Sequence, residues 1–262
     1  MSPVRGQRMP ALFIGHGSPM NVITDNAYRR SWQALGAKLP RPEAILCVSA
    51  HWLTRGTAVT MGHPLKTIHD FYGFPQALYA EQYPVPDARL FARAAIEAIG
   101  STRVASDTEW GLDHGAWAVL KPMYPAGDVP VFQLSIDATQ PPRRHLELGR
   151  ELALLRERGV MIVASGNIVH NLAVMRPGRD AYDWAVEFDA YVARALDERD
   201  DEALVEYLRA GRSAELAVNT AEHYLPLLYA AGARHADDGL EFFNESFDLA
   251  SISMRSVILA AH

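Results

Sequence analysis

Ten histidines are spread over the 262 residues of this chain, and five of them fall where chemistry is expected. LFIGHG ends on His16, LCVSAHW places His51, and IVASGNIVH places His170, each soon after an apolar run with the character of a strand. His114 lies in GLDHGAW and His223 in AEHYLPLLY, stretches that read as a turn or a helix start. Pro226 suits the first turn of a helix and so puts His223 at or just before its beginning. In an open α/β sheet the carboxyl ends of the strands line the ligand crevice, so histidines that follow parallel neighbouring strands meet there. Neutral imidazole is the commonest metal ligand near neutral pH, and several that converge suit Zn, Fe or Cu. Any one of these histidines alone is explained as well by a core or surface position. Three at the same kind of place, beside the small residues Gly15, Gly17, Ala50 and Gly166, imply a mononuclear metal site with open space around the imidazoles.

The other histidines lack this setting. His63 follows a turn, His145 falls on the charged side of a helical pattern, and His235 and His262 lie near loops or the terminus, so all four are expected to face solvent. His69 and Asp70 open IHDFYGFPQALY (68–79), a loop-like stretch with Phe71, Tyr72 and Phe74. Its aromatics either stack on a flat substrate beside the crevice or pin the loop to the core.

The elements that must position these residues are legible as alternating patterns. Segments 10–15, 43–50, 129–136 and 160–166 are continuous apolar runs, as expected of strands covered on both faces. Segment 249–260 alternates and is β-branched, which predicts a last strand. Helical patterns occupy 87–100, with Leu90, Phe91, Ala94, Ala95 and Ala98 on one stripe, and 143–159, with Leu146, Leu148, Leu152 and Leu155. A third spans 182–200, with Trp184, Phe188, Tyr191, Val192 and Ala195 toward a core. Strands alternating with helices predict an α/β fold with a mostly parallel or mixed central sheet, flanked by helices. PVPD and QPPRR read as turns, no repeat or linker composition interrupts the chain, and 1–262 is expected to be one domain.

Bulk properties narrow the function. With 49% hydrophobic and 21% charged residues the composition is that of an ordinary globular protein. A net charge of −6 disfavours both a nucleic-acid groove and a polybasic membrane surface. The apolar stretch in MSPVRGQRMPALF is too short for a signal peptide, and no run has the length of a membrane span. Cys47, the only cysteine, sits inside AILCVSA and reads as a buried structural thiol; a cytoplasmic protein fits these features. There is no G-x-S-x-G elbow, and Ser18 is followed by proline. GHGSPM is neither G-x-G-x-x-G nor a Walker loop, and structural zinc lacks its paired cysteines. What survives is catalysis at a histidine-held metal, either hydrolytic or oxygen-activating.

Taken in order, GHGSPMN, SAHW, HDFYGFP, DHGAW, ASGNIVHNL and EHYLPLLY resemble the class III (LigB-type) extradiol ring-cleaving dioxygenases, nearest their 4,5-DOPA extradiol branch, over residues 9–258. The resemblance implies a single α/β domain and metal-dependent opening of a catechol ring by O2, with a DOPA-like catechol as substrate and a semialdehyde product. It implies His16, His51 and His223 as metal ligands, with the adjacent Glu222 as the other candidate for the third place. His170 matches an acid/base position or a fourth ligand, and His114 an acid/base or supporting histidine. Phe71 and Tyr72 are candidates to cover the substrate ring. Fe(II) is expected for oxygen chemistry, and Zn(II) as a bound species, because histidine sites hold zinc well and zinc offers no redox states. The alternative to a dioxygenase is a zinc hydrolase that uses the same histidines to activate water. Arg55, Lys121 and Arg176 are candidates for the carboxylate of an amino-acid tail. A monomer or homodimer is expected, without nucleic-acid or membrane partners.

Overall fold

Four apolar runs lie side by side at the centre of the computed structural model, which describes residues 8–261. The six-stranded sheet has the order Val131–Gln133, Ala44–Ser49, Val160–Gly166, Ala11–Gly15, Ser256–Ala261, Asp238–Phe243. The first four strands are parallel to one another. The last strand of the chain pairs antiparallel with Ala11–Gly15 and with Asp238–Phe243, so the sheet is mixed. Residues Met1–Gln7 and His262 lie outside the described residues.

Period-two alternation divides the strand side chains between two cores. Ala11, Phe13, Ala44, Leu46 and Val48 face one side, where Leu146, Leu148 and Leu152 of helix Pro142–Leu152 and Phe188 and Val192 of helix Asp183–Glu198 cover them. Helix Leu225–Gly232, buried along its whole length, completes that layer, with Pro226 in its first turn as expected. Leu12, Ile14, Ile45 and Cys47 face the other side, against Trp32 and Leu35 of helix Ala27–Lys38 and Trp117 and Leu120 of helix His114–Met123. Cys47 is buried mid-strand, as its apolar context predicts. Among the described residues no helix is long and apolar enough to cross a membrane.

Departures from the sequence pattern have local causes. Segment 129–136 is not one strand: after Gln133 the chain leaves the sheet, and Ile136–Asp137 pairs instead with Leu53–Thr54. Segment 249–260 is also interrupted, because Leu249 and Ala250 take left-handed backbone angles with φ of 51° and 64°. Ile252–Ser253 then pairs back on Phe247–Asp248 before the chain enters the sheet at Ser256. The helix expected over 143–159 breaks at Ala153 into Pro142–Leu152 and Leu154–Glu157. In helix Arg89–Ala98 the buried residues are Ala92 and Ala95, and Leu90 is exposed rather than on the buried stripe. His145 is fully buried, not solvent-facing. It lies three, four and seven residues before Leu148, Gly149 and Leu152, on the stripe that packs against Tyr229. His63 is exposed and His235 half-buried.

Candidate active site

The four parallel strands end at one edge, and the residues just past their ends form the site. His16 follows Gly15 directly, and its backbone N–H bonds the carbonyl of Gly166 at 3.0 Å, which fixes it at the strand tip. Gly15 and Gly17 act by close approach rather than by leaving room around the imidazole. A Cβ on Gly15 would lie 2.7 Å from the Met254 carbonyl carbon, and Gly17 has φ of 56° with the Met254 sulfur 2.6 Å from where its Cβ would be. The two glycines let the chain turn off the strand beneath the Ile252–Met254 segment, which walls the site on that side.

The orientation of His16 and His51 is set by acceptors behind the two rings. Ser165, near the end of its strand, donates its one hydroxyl hydrogen to the Gly115 carbonyl at 2.5 Å, so it can only accept from His16 Nδ1 at 2.9 Å. Nε2 of His16 is then the free nitrogen. Nδ1 of His51 lies 3.3 Å from Oδ2 of Asp70, a carboxylate that favours the ring proton on that nitrogen and so leaves Nε2 of His51 free as well. These two free nitrogens face each other at 3.3 Å. Two bare lone pairs at that distance repel unless a proton or a cation lies between them. Two imidazole nitrogens on one tetrahedral ion, at ~2.0–2.1 Å each, would be about 3.4 Å apart, so the pair fits a metal.

The remaining histidines close around this pair. Donor atoms of His16, His51 and His114 all lie within 4.8 Å of one another, as do those of His170, Glu222 and His223. His223 stands 5.2 Å from His16 and 5.1 Å from His51 between ring centroids, and His170 stacks on His223 at 3.5 Å and 7°. Glu222 Oε1 lies 3.2 Å from Nδ1 of His223 and accepts the Thr220 hydroxyl at 2.7 Å. That carboxylate therefore backs His223, in the manner of the outer acceptors that orient metal-bound histidines. His114 opens helix His114–Met123, and its backbone N–H donates to Asp70 Oδ1 at 2.9 Å. Its Nδ1 is 3.0 Å from the same oxygen, though too oblique for a good hydrogen bond.

Burial keeps His16, His51, His170 and His223 neutral. It holds His16 and His223 well below the ordinary histidine range and lowers His51 and His170 to about 4, with mutual repulsion among the imidazoles adding to the effect. Neutral imidazoles with oriented lone pairs are what a metal needs.

Polar residues beneath the histidines have no counterpart in the sequence reading. Asp113 is fully buried, caps helix His114–Met123 at the Ala116 N–H, and accepts from Ser49 at 2.6 Å and Gln133 at 2.8 Å. Ser49, Gln133 and Ser165 occupy last or next-to-last strand positions, and the one available signal was a polar residue breaking an apolar run at its carboxyl end. Asp70 was visible only as a neighbour of the aromatic loop, although it joins His51 to His114.

A cavity of about 390 Å³ opens over the histidines, lined also by Phe71, Phe74, Leu172, Met175, Leu249 and Ile252. Phe71 stands edge-on to His114 at 5.6 Å and to Phe74 at 5.3 Å. Tyr72 is 92% exposed and does not line the cavity; the chain turns at Gly73 and Phe74 takes the inward position. His69 is likewise outside it, bonded through Nε2 to the Glu81 carbonyl at 3.0 Å. Lys121 is paired with Glu81, Arg176 lies over the Tyr182 ring at 4.4 Å, and Arg55 is exposed; none of the three lines the cavity.

Known proteins share this arrangement of chain. A protein of Escherichia coli K12 named 4,5-DOPA dioxygenase extradiol is 50% identical over 95% of this chain and 94% of its own. One of the same name from Beta vulgaris is 36% identical over 90% and 91%. A crystal structure of an Escherichia coli K12 protein described as uncharacterized superposes with a TM-score of 0.84, at 45% identity, over 97% of this chain and all of the other. The family model described as the catalytic LigB subunit of aromatic ring-opening dioxygenase matches residues 10–260, and the chain belongs to that family of oxidoreductases.

Proposed function

We propose that this chain opens the ring of a catechol beside its two hydroxyls, with O2, at one divalent metal held by His16, His51 and His223. The observation that carries this reading is the 3.3 Å separation of the His16 and His51 Nε2 atoms, both with Nδ1 turned to an acceptor. Bound Fe(II) would supply the redox chemistry with O2 and acidify the diol; Zn(II) would fill the same donors without redox capacity. Phe71 and Phe74, in contact edge-to-face, form one aromatic wall against which a flat ring can rest away from water. His114, backed by Asp70, is placed to take the catechol proton at Nε2 and return it as the ring opens. His170, kept neutral by burial and stacked on His223, serves as a second proton acceptor or a fourth ligand. The 4,5-DOPA dioxygenase names of the relatives support a DOPA-like catechol as substrate, cleaved at the 4,5 bond.

The test is anaerobic reconstitution with Fe(II) or Zn(II), followed by catechol and oxygen. The expected outcome is oxygen uptake and a yellow semialdehyde in the iron form alone. Absence of uptake with every catechol tried sinks the reading. Ester or amide hydrolysis by the zinc form would establish the hydrolase in its place.

A further inference from the structure

Of Asp70, Asp113 and Glu222, the carboxylates described around the histidines, Asp113 alone is out of reach of water. Asp70 and Glu222 keep 20% and 26% of their side chains exposed, whereas Asp113 is at 0%. Its oxygens are met by neutral donors. Ser49 Oγ donates to Oδ1 at 2.6 Å, the Ala116 N–H to the same oxygen at 3.2 Å, and Gln133 Nε2 to Oδ2 at 2.8 Å. Gln133 Oε1 accepts the Asp113 N–H at 3.2 Å, so the amide clasps residue 113 at two points.

Among the described residues none of these partners is a cation. Buried carboxylates elsewhere in the chain are matched, Asp238 by Arg156 at 2.5 Å and Asp189 by Arg255 at 2.8 Å. A buried charge without a countercharge is costly even when it is hydrogen-bonded. The positive end of helix His114–Met123, which Asp113 caps, offsets part of that cost. Capping alone does not call for the charge, because serine, threonine or asparagine supplies the same oxygen.

The histidines lie directly above this carboxylate. A Cβ on Gly115 would fall 2.4 Å from Ser49 Oγ, 2.8 Å from Cδ2 of His51 and 3.3 Å from Oδ1 of Asp113. Cδ2 is bonded to Nε2, the nitrogen that His51 turns toward His16. The glycine thus lets the carboxylate and the working edge of the ring gather around one point, with no side chain between them. Neutral imidazoles bring no negative charge to a divalent ion, and in a dry site a fixed charge nearby is felt strongly.

We infer that Asp113 is the countercharge of the metal site, held beneath His51 by Ser49 and Gln133, and that it strengthens divalent binding without touching the ion. This rests on the reading that His16, His51 and His223 hold a metal.

The test uses the full chain with and without Zn(II). Asp113→Asn and Asp113→Ser remove the charge and leave a residue that caps a helix well. Both should weaken Zn(II) binding, measured by competition with a chelator, about 10–100-fold, the loss seen when outer partners of metal sites are removed. In urea unfolding the metal-free variants should lose less stability than the zinc-loaded ones, since the charge has its partner in the loaded form alone. Ser49→Ala keeps the charge, removes one donor and should cost much less affinity than either. In the iron-loaded protein both neutral variants should raise the Fe(III)/Fe(II) potential, because a nearby negative charge favours the more highly charged ion. A zinc affinity or a potential equal to that of the natural chain overturns the inference. So does an equal loss of stability with and without metal, or failure of both neutral variants to fold without it. A loss of zinc in Ser49→Ala as large as in Asp113→Asn also overturns it, by making the geometry of the network the cause. If the natural chain retains no metal, the metal reading fails and the inference with it. If it retains zinc yet the iron form opens no catechol, the ring-opening reading fails and the inference stands on the zinc data.

Discussion

Glu222 places Oε1 3.2 Å from Nδ1 of His223, so the carboxylate supports the imidazole from behind. If His223 is the metal ligand, the two residues have separable effects. His223→Ala should abolish metal retention. Glu222→Ala should weaken it about 10–100-fold, as loss of an outer acceptor does, and Glu222→Gln should recover much of that loss by keeping an amide oxygen near Nδ1. Metal content after dialysis against a chelator measures this directly. Equal losses in Glu222→Ala and His223→Ala would make the carboxylate a ligand.

Asp70 gives a second separable pair, since its two oxygens reach Nδ1 of His51 at 3.3 Å and Nδ1 of His114 at 3.0 Å. His114→Ala should retain the metal and lower kcat about 10²–10⁴-fold if His114 moves the proton. Asp70→Asn should lower both metal affinity and rate by smaller factors, because it loosens one ligand and one acid/base group together. Loss of the metal in His114→Ala would instead place the ion among His16, His51 and His114, whose donor atoms also converge.

The contrast between these residues shows what sequence conveys. The parallel strands and their histidines were legible because apolar runs that end at one edge bring the residues immediately after them into one crevice. Asp70 was not, because its partners are 19 residues before it and 44 after it, and a carboxylate in a loop carries no periodicity. Tyr72, expected to cover the substrate ring, faces solvent, and Phe74 lines the cavity in its place. Which of two aromatics in a loop faces inward depends on the turn at Gly73, where φ is 78°. The interruption at Leu249 and Ala250 was hidden for a related reason, since left-handed angles on such residues arise from tertiary contacts that no propensity encodes.

His145 carries a pH prediction away from the metal site. Its Nδ1 is 3.0 Å from the Tyr229 hydroxyl, and burial lowers its pKa from 6.5 to about 4. A histidine with a depressed folded pKa refuses a proton that the unfolded chain accepts. Its stabilising contribution is therefore complete above pH 6.5, declines as pH falls from there to about 4, and is lost below that. Roughly 3 kcal/mol is involved, from about 1.36 kcal/mol per unit. His145→Gln should be less stable near pH 7 yet show a flatter decline between pH 6.5 and 4 in urea unfolding. Parallel stability-against-pH curves for the two proteins would refute this.

Arg156 and Asp238 test the opposite end of the sheet. Both side chains are fully buried, with Nη1 and Oδ2 2.5 Å apart. The guanidinium also donates to the carbonyls of Met9 at 2.7 Å, Ala233 at 2.6 Å and Leu259 at 3.0 Å, tying the first strand, the last strand and the end of helix Leu225–Gly232 together. Asp238→Asn removes the charge that compensates a buried cation and should cost ~3–5 kcal/mol. Since this cluster anchors the start of the strand whose far end carries His16, the variant should bind metal normally at low temperature and lose it in step with unfolding. Metal loss well below the unfolding midpoint would show that the pair shapes the site as well as the fold.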